Sequence, residues 1–389
     1  MAIKRRLARV IVAGLISGTS VDALDVAVAD LTLADGVITL RPLGAQEHPW
    51  PSDLRTRLLA LLPPAATSAG EICDLDQAVG QATAEAAVAA LARFADGRGD
   101  LIASHGQTVF HRVVDGHARG TLQLGQPAWV VEATGLPVVS DLRARDIAAG
   151  GEGAPLASTL DALWLGGGPP RAALNLGGIA NVTVLDGESV LAFDTGPASC
   201  LLDAAAQRRT GEPCDRDGRL ALAGRVDELL LARLLAEPYY AKAAPKSTGR
   251  ELFTTEYVDA PDVADADLLA TLTELTAVTV ADACRPYGLT EVVASGGGVR
   301  NPALLAALRH RLAPTPLVTT DERGLPADAK EAYLVALLGF LTWHQLPGVV
   351  PGGTGSSVPH VLGRLSPGDA PLHLPAPGPP PRLLVVTPP

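Results

Sequence analysis

Phe193-Asp194-Thr195-Gly196-Pro197 is the stretch on which the reading of this chain turns. The apolar run Ser189-Val190-Leu191-Ala192-Phe193 leads into it and predicts a strand, and a helix is expected over about 198–208. A carboxylate then stands where a strand ends and a helix begins. Helix N-termini carry unpaired N–H groups and partial positive charge. Strand ends beside such helices are where α/β proteins hold phosphate and do chemistry. A capping aspartate in an ordinary turn satisfies the same pattern, so the choice rests on the rest of the chain.

Working outward, residues 171–175 predict a strand, Leu176-Gly177-Gly178-Ile179 a glycine turn, 180–185 a second strand and Asp186-Gly187 a tight turn before the third. The same order opens the chain. Residues 10–16 read as a buried strand, Ser17-Gly18-Thr19-Ser20 as a turn, 23–29 as a strand, Asp35-Gly36 as a turn and 37–43 as a strand. A repeat of element order with matching turns predicts two duplicated α/β halves. Gly166-Gly167-Gly168-Pro169-Pro170 marks the boundary. The expected domains are 1–165 and 166–365, with a Pro-rich tail, 366–389, that is extended; the last helix is free to pack back on the first domain. Helices are expected at 52–62, 72–94, 127–134, 218–235, 265–285 and 329–344, and short strands at 101–103, 121–124, 137–139, 291–294 and 316–318.

The chain has 389 residues, 47% of them hydrophobic, enough for two cores. Lys+Arg 31 against Asp+Glu 42 gives a net charge of −11, which argues against nucleic-acid or anionic-membrane partners. Cys73, Cys200, Cys214 and Cys284 have no C-x-x-C spacing, so neither a zinc site nor a redox pair is expected. Lys4-Arg5-Arg6 before an apolar run imitates a signal peptide, but Arg9 interrupts the run and a glycine turn ends it; the expectation is a cytoplasmic protein with a basic leader.

Three glycine-rich turns each adjoin a strand: Gly18-Thr19-Ser20, Leu176-Gly177-Gly178 and Gly296-Gly297-Gly298. Glycine lets backbone N–H groups close on an anion, and hydroxyls at Ser17, Thr19 and Ser20 add donors. Two such turns from two halves suit a polyphosphate; the third suits a base or ribose. Each alone is equally a tight turn. No G-x-x-x-x-G-K-[ST] loop and no dinucleotide fingerprint is present.

Taken in order, these pieces resemble one family. Gly14-Leu15-Ile16-Ser17-Gly18-Thr19-Ser20-Val21-Asp22-Ala23-Leu24-Asp25 resembles the opening of the anhydro-N-acetylmuramic acid kinases. So do Ser104-His105-Gly106-Gln107-Thr108-Val109, the stretch from Asp141-Leu142-Arg143 to Gly153-Ala154-Pro155-Leu156, Asn175-Leu176-Gly177-Gly178-Ile179-Ala180-Asn181, Asp194-Thr195-Gly196-Pro197, Ala244-Pro245-Lys246-Ser247-Thr248-Gly249-Arg250-Glu251 and Gly296-Gly297-Gly298-Val299-Arg300-Asn301-Pro302.

The resemblance implies the actin/hexokinase/Hsp70-like ATPase fold, two duplicated α/β domains with ATP in the interdomain cleft. It implies ATP and Mg²⁺ as cofactors and 1,6-anhydro-N-acetylmuramic acid as substrate, opened by water at C1 while O6 takes the γ-phosphoryl group. Asp194 matches the family's catalytic base. Gly18, Thr19, Ser20, Asp22 and Asp25 match the phosphate loop, with Asp22 toward Mg²⁺. Gly177, Gly178, Asn181, Gly296, Gly297, Gly298 and Asn301 fall on the nucleotide side. Arg143 and Glu331 are expected on the sugar side, with His105 and Gln107 lining the pocket; Lys246 is read as a solvated loop lysine. A homodimer is left open. The sequence departs from the family at Ala198-Ser199, usually Gly-Asn, and at Ala23, usually Gly. A kinase of the same fold acting on another sugar or carboxylate, or a nucleotide-gated binding protein, remains the alternative.

Overall fold

The computed structural model describes residues 9–388 other than 19, 63, 64 and 250, so Thr19 and the basic leader lie outside the described residues. In chain order, β1 (Val10–Ser17), β2 (Ala23–Ala34) and β3 (Val37–Pro49) lead to α1 (Ser52–Leu61) and α2 (Ala69–Ala95). Then come β4 (Leu101–Val114), β5 (His117–Leu124), α3 (Pro127–Thr134), β6 (Val138–Ser140), α4 (Ala144–Ala148) and α5 (Ala157–Leu165). The next run is β7 (Arg171–Leu176), β8 (Ile179–Asp186), β9 (Ser189–Pro197), α6 (Ser199–Thr210), α7 (Arg219–Ala223), α8 (Glu228–Leu235) and α9 (Thr255–Val258). It continues with α10 (Asp265–Cys284), β10 (Glu291–Ser295), α11 (Pro302–Leu312) and β11 (Leu317–Thr319). Helix α12 (Lys330–Trp343) and strands β12 (Arg364–Ser366) and β13 (Leu383–Val386) close the chain.

Two compact units result, one up to Trp164 and from Ala329 onward, the other Leu165–Asp328. The first holds a sheet of order β12-β6-β4-β1-β2-β3-β13, with β5 paired to β4; the second holds β11-β10-β7-β8-β9. Within the first, β6-β4-β1-β2-β3 repeats the second strand for strand. In each, three consecutive strands form an antiparallel meander and two further strands join in parallel beside the first. The duplicated α/β fold is therefore present in the hydrogen-bond ladders themselves.

Every residue of β1 is buried, because helices cover both faces of its sheet. Ile11, Ala13 and Leu15 pack with Leu75 and Val79 of α2. Gly14 turns the other way, where a Cβ would stand 2.2 Å from the carbonyl oxygen of Ala332 in α12. Only a glycine lets α12 lie that close, and this contact, with Ala103 against Gly339, draws α12 to the first unit. The expected second half ends at 365 with the last helix left free to pack back on the first domain; that helix, α12, belongs to the first unit, which the chain rejoins at Ala329. The Pro-rich tail then runs between the two edges of the first sheet. Strand β12 pairs antiparallel with β6, and β13 pairs parallel with β3, so both edges are covered.

In the second unit, Ala172, Leu174 and Val292 of the sheet pack with Val280 of α10 and Leu304 and Leu308 of α11. Leu201 and Leu202 of α6, Leu231 and Leu234 of α8 and Leu269 and Leu272 of α10 form a further cluster. The single helix expected over 218–235 is two. Helix α7 stops at Gly224, and Asp227 caps α8 by accepting from the Leu230 amide at 2.9 Å. Among the described residues no helix is long and apolar enough to cross a membrane.

Candidate active site

Four polar residues sit at one level across the second sheet. The register pairs Ser295 of β10 with Asn175 of β7, Asn175 with Asn181 of β8, and Asn181 with Asp194 of β9. Paired neighbours on adjacent strands point to the same face, so the row places Asn181 beside Asp194. Asp194 is gripped on three sides. Its amide donates to the Lys246 carbonyl at 3.0 Å, its carbonyl accepts from the Tyr239 hydroxyl at 2.8 Å, and Oδ2 accepts from the Thr248 amide at 2.9 Å. Burial pushes its carboxyl above the ordinary range; the Thr248 N–H opposes this and the charge of Glu251 adds to it. Lys246 is not a solvated lysine. Its Nζ donates to the carbonyls of Tyr239 (3.3 Å) and Tyr240 (3.0 Å) and lies 4.7 Å from the Tyr239 ring centroid, so it ties the aromatic residues beneath Asp194.

The glycine turns of this unit meet each other. A Cβ on Gly296, whose φ is +85°, would stand 2.6 Å from Asn175 Oδ1 and 2.9 Å from the Leu176 carbonyl oxygen; one on Gly298 would stand 2.6 Å from Leu176 Cβ. The Gly296-Gly297-Gly298 turn thus seats directly on the Asn175-Leu176-Gly177 turn. The carbonyls of Gly177 and Gly178 accept from the amides of Ala198, Ser199 and Cys200 at 3.0–3.1 Å. The first amides of α6 are therefore satisfied by the turn and are not held out for an anion. Asn301 caps α11, its Oδ1 accepting from the Leu304 amide at 3.2 Å.

In the first unit, the turn after β1 is closed by Val21 N donating to Gly18 O at 3.1 Å. Gln107 is fully buried and donates from Nε2 to that same Gly18 carbonyl at 3.1 Å, so it braces the turn from beneath. Ser17 Oγ accepts from the Trp50 indole at 3.3 Å. Val21 holds φ +55°, a costly conformation for a β-branched residue, with its carbonyl pinned by Arg55 Nε at 2.8 Å. Ser20 and Asp22 are exposed, and Asp22 pairs with Arg55 at 3.1 Å. Asp25 lies in β2 opposite Ile16 and Glu47.

The sugar-side candidates form a second group in the same unit. Arg143 donates from Nε to His105 Nε2 at 3.1 Å and from Nη1 to the Gly153 carbonyl at 2.7 Å. Because His105 accepts there, its proton sits on Nδ1; burial first, then the Arg143 charge, hold its pKa well below the ordinary value. Desolvation lowers the Arg143 pKa and Glu331 opposes it. Glu331 is exposed in the first turn of α12. His105 and Arg143 are in direct contact, the charge of Glu331 acts on Arg143, and Gln107 holds Gly18.

The model of the family described as anhydro-N-acetylmuramic acid kinase matches residues 10–368. The anhydro-N-acetylmuramic acid kinase of Streptomyces coelicolor is 54% identical over 96% of this chain and 98% of its own length. That of Streptomyces avermitilis is 56% identical over 94% and 96%. The chain belongs to the anhydro-N-acetylmuramic acid kinase family. The activator of the 2-hydroxyisocaproyl-CoA dehydratase from Clostridium difficile with bound ADPNP is a far looser likeness, 14% identical over 85% of this chain and 94% of that one, TM-score 0.40.

The chain departs from this kinase family at Ala198, a buried residue at the start of α6 with φ −124° and ψ −101°. What the sequence reading missed are the struts. Tyr239 and Thr248 hold Asp194, and Asp146 and Thr354 hold the Arg143 loop. Lys246-Ser247-Thr248 was visible as a motif; Thr354 had no signal, since it lies 208 residues from its partner.

Proposed function

We propose that this family member is an ATP-dependent kinase that opens the 1,6-anhydro ring of 1,6-anhydro-N-acetylmuramic acid with water and phosphorylates O6, giving N-acetylmuramic acid 6-phosphate for cell-wall recycling. The observation that carries the reading is the setting of Asp194, a half-buried carboxylate fixed by the Thr248 amide and raised in pKa toward the range where a base works best.

Asp194 takes a proton from water as the water oxygen bonds to C1. The C1–O6 bond breaks, and O6 attacks the γ-phosphorus, whose bond to the β,γ-bridging oxygen breaks to release ADP. The proton on Asp194 passes to solvent. Arg143 binds the lactyl carboxylate and Glu331 accepts from sugar hydroxyls. Within the first unit, Gly18 and Ser20 are assigned to the nucleotide side; within the second, Gly177, Gly178, Asn181 and Gly296–Gly298 are. Asn175 orients the third turn, since its Oδ1 occupies the place a Gly296 side chain would need.

Among the described residues no three His, Cys, Asp or Glu side chains converge as a metal cage. Mg²⁺ with a nucleotide needs none, because it takes one or two carboxylates and completes its shell with phosphates and water. Exposed Asp22 beside the Gly18 turn suits that role. When bound, Mg²⁺ neutralises charge on the phosphates. A cytoplasmic setting is proposed from the four cysteines, none of which is in a disulfide among the described residues.

ATP consumption is expected to depend on the anhydro sugar. Assayed against anhydro-N-acetylmuramic acid, N-acetylmuramic acid and glucose, only the first should raise ADP release above background. Equal stimulation by a plain sugar would assign a different substrate, and ATP turnover indifferent to all three would favour a nucleotide-gated binding protein.

A further inference from the structure

Asp146 is a fully buried carboxylate that the proposed chemistry does not use. A buried charge is retained only when its oxygens are met by donors. Asp146 has several. Its Oδ2 accepts from the Gly153 amide at 2.7 Å, its Oδ1 from the Thr354 hydroxyl at 2.9 Å, and His360 Nε2 lies 3.2 Å from Oδ1. The backbone closes the same knot: Gly151 N donates to Asp146 O at 2.9 Å and Glu152 N to Thr354 O at 2.8 Å. The loop is wrapped so tightly that a Cβ on Gly151 would stand 2.4 Å from Asp146 Oδ2.

The Gly153 residue faces two ways. Its N–H goes to Asp146, and its carbonyl receives Arg143 Nη1 at 2.7 Å. Arg143 Nε is spent on His105. With Nη1 and Nε fixed, the guanidinium plane is fixed, and the edge left for a ligand is set by where Gly153 stands. We propose that Asp146 is the positioning residue for Arg143: it anchors the loop at Gly153 to Thr354, so that the Arg143 fork is preset for a carboxylate before the sugar arrives. This rests on the sugar-side role of Arg143 proposed above. Preset forks matter because binding otherwise includes the cost of ordering the side chain.

The test is a double-mutant cycle in the full-length enzyme, with KM for the anhydro sugar, kcat and KM for ATP as readouts. Asp146→Asn puts an amide donor where one acceptor oxygen stood, so one of the two bonds must reverse, with the Thr354 hydroxyl turning to accept, and the charge that holds both donors is lost. Its sugar KM should rise about ten- to a hundredfold, with kcat within about threefold and ATP KM unchanged. In an Arg143→Ala background the same change should move sugar KM by less than about twofold, because the group it acts through is gone. Thr354→Val should raise sugar KM in part, and Thr354→Ser should keep the parental value. If Asp146→Asn does not fold by circular dichroism, the Thr354 pair carries the cycle instead.

Equal effects of Asp146→Asn with and without Arg143 would overturn the proposal, as would an unchanged sugar KM in Asp146→Asn while Arg143→Ala raises it. Arg143→Ala leaving sugar KM untouched would instead overturn the sugar-side role of Arg143, and this inference with it.

Discussion

Asp194→Asn lowers turnover by about 10²–10⁴-fold while ATP still binds. The amide keeps an oxygen for the Thr248 N–H, so the geometry at 2.9 Å survives, but it cannot take a proton from water. Two further results follow from the direction of the pKa. Burial raises the Asp194 carboxyl above 3.8, so the acid limb of kcat/KM should fall at a higher pH than an ordinary aspartate gives. The folded state also favours the protonated acid. The stability this lends is full below the unfolded pKa and is lost as pH rises through the folded one. At pH 7 the parent holds a charge that burial disfavours, and the neutral asparagine should melt no lower than it. A calorimetric scan beside the kinetics separates the two: activity gone with stability kept marks a working group, whereas both lost together marks a scaffold residue.

Asp161→Ala should cost about 3–5 kcal/mol of stability, the largest structural effect expected in the first unit. Asp161 of α5 and Lys330 at the start of α12 form an ion pair with Nζ 2.6 Å from Oδ1, their side chains only 3% and 9% exposed. Burial pushes the Asp161 carboxyl up and Lys330 opposes it. Removing one partner leaves the other charged in a dry site. Replacing both, as Asp161→Leu with Lys330→Met, removes the desolvation along with the attraction and should recover most of the loss. Trp50, Trp129, Trp164 and Trp343 all lie in this unit, so urea unfolding followed by tryptophan fluorescence reads it alone. Glu331 is the residue after Lys330, and the single variant should also raise sugar KM as the start of α12 loosens. An unchanged urea midpoint in Asp161→Ala would show the pair to be worth little.

The duplicated fold was legible because its signals are local. A strand buried on both faces is a continuous apolar run, as β1 is, and Asp35-Gly36 and Asp186-Gly187 mark hairpins whatever surrounds them. The separation of α7 from α8 was also local, at Gly224 and Asp227, and was passed over because the apolar residues on either side read as one helix. What was not legible is whatever depends on distant residues. That α12 does return to the first unit, which the sequence leaves open, is decided by Gly14 and Ala332, far apart in sequence. Gln107 reaches Gly18 because Gly106, with φ +70°, and the register shift beside it place Gln107 level with Ser17. Asn301 shows a different limit: an asparagine before proline at a helix start is as good a cap as a ligand, and here its side chain caps α11.

The most direct measurement is the mass of the product formed from ATP and 1,6-anhydro-N-acetylmuramic acid in heavy-oxygen water. A base that aims water at C1 predicts a sugar that has gained both one phosphoryl group and one water, with the heavy oxygen on C1 and none in the phosphoryl group. A phosphorylated product with the anhydro ring intact, or heavy oxygen on the phosphoryl group alone, would contradict it.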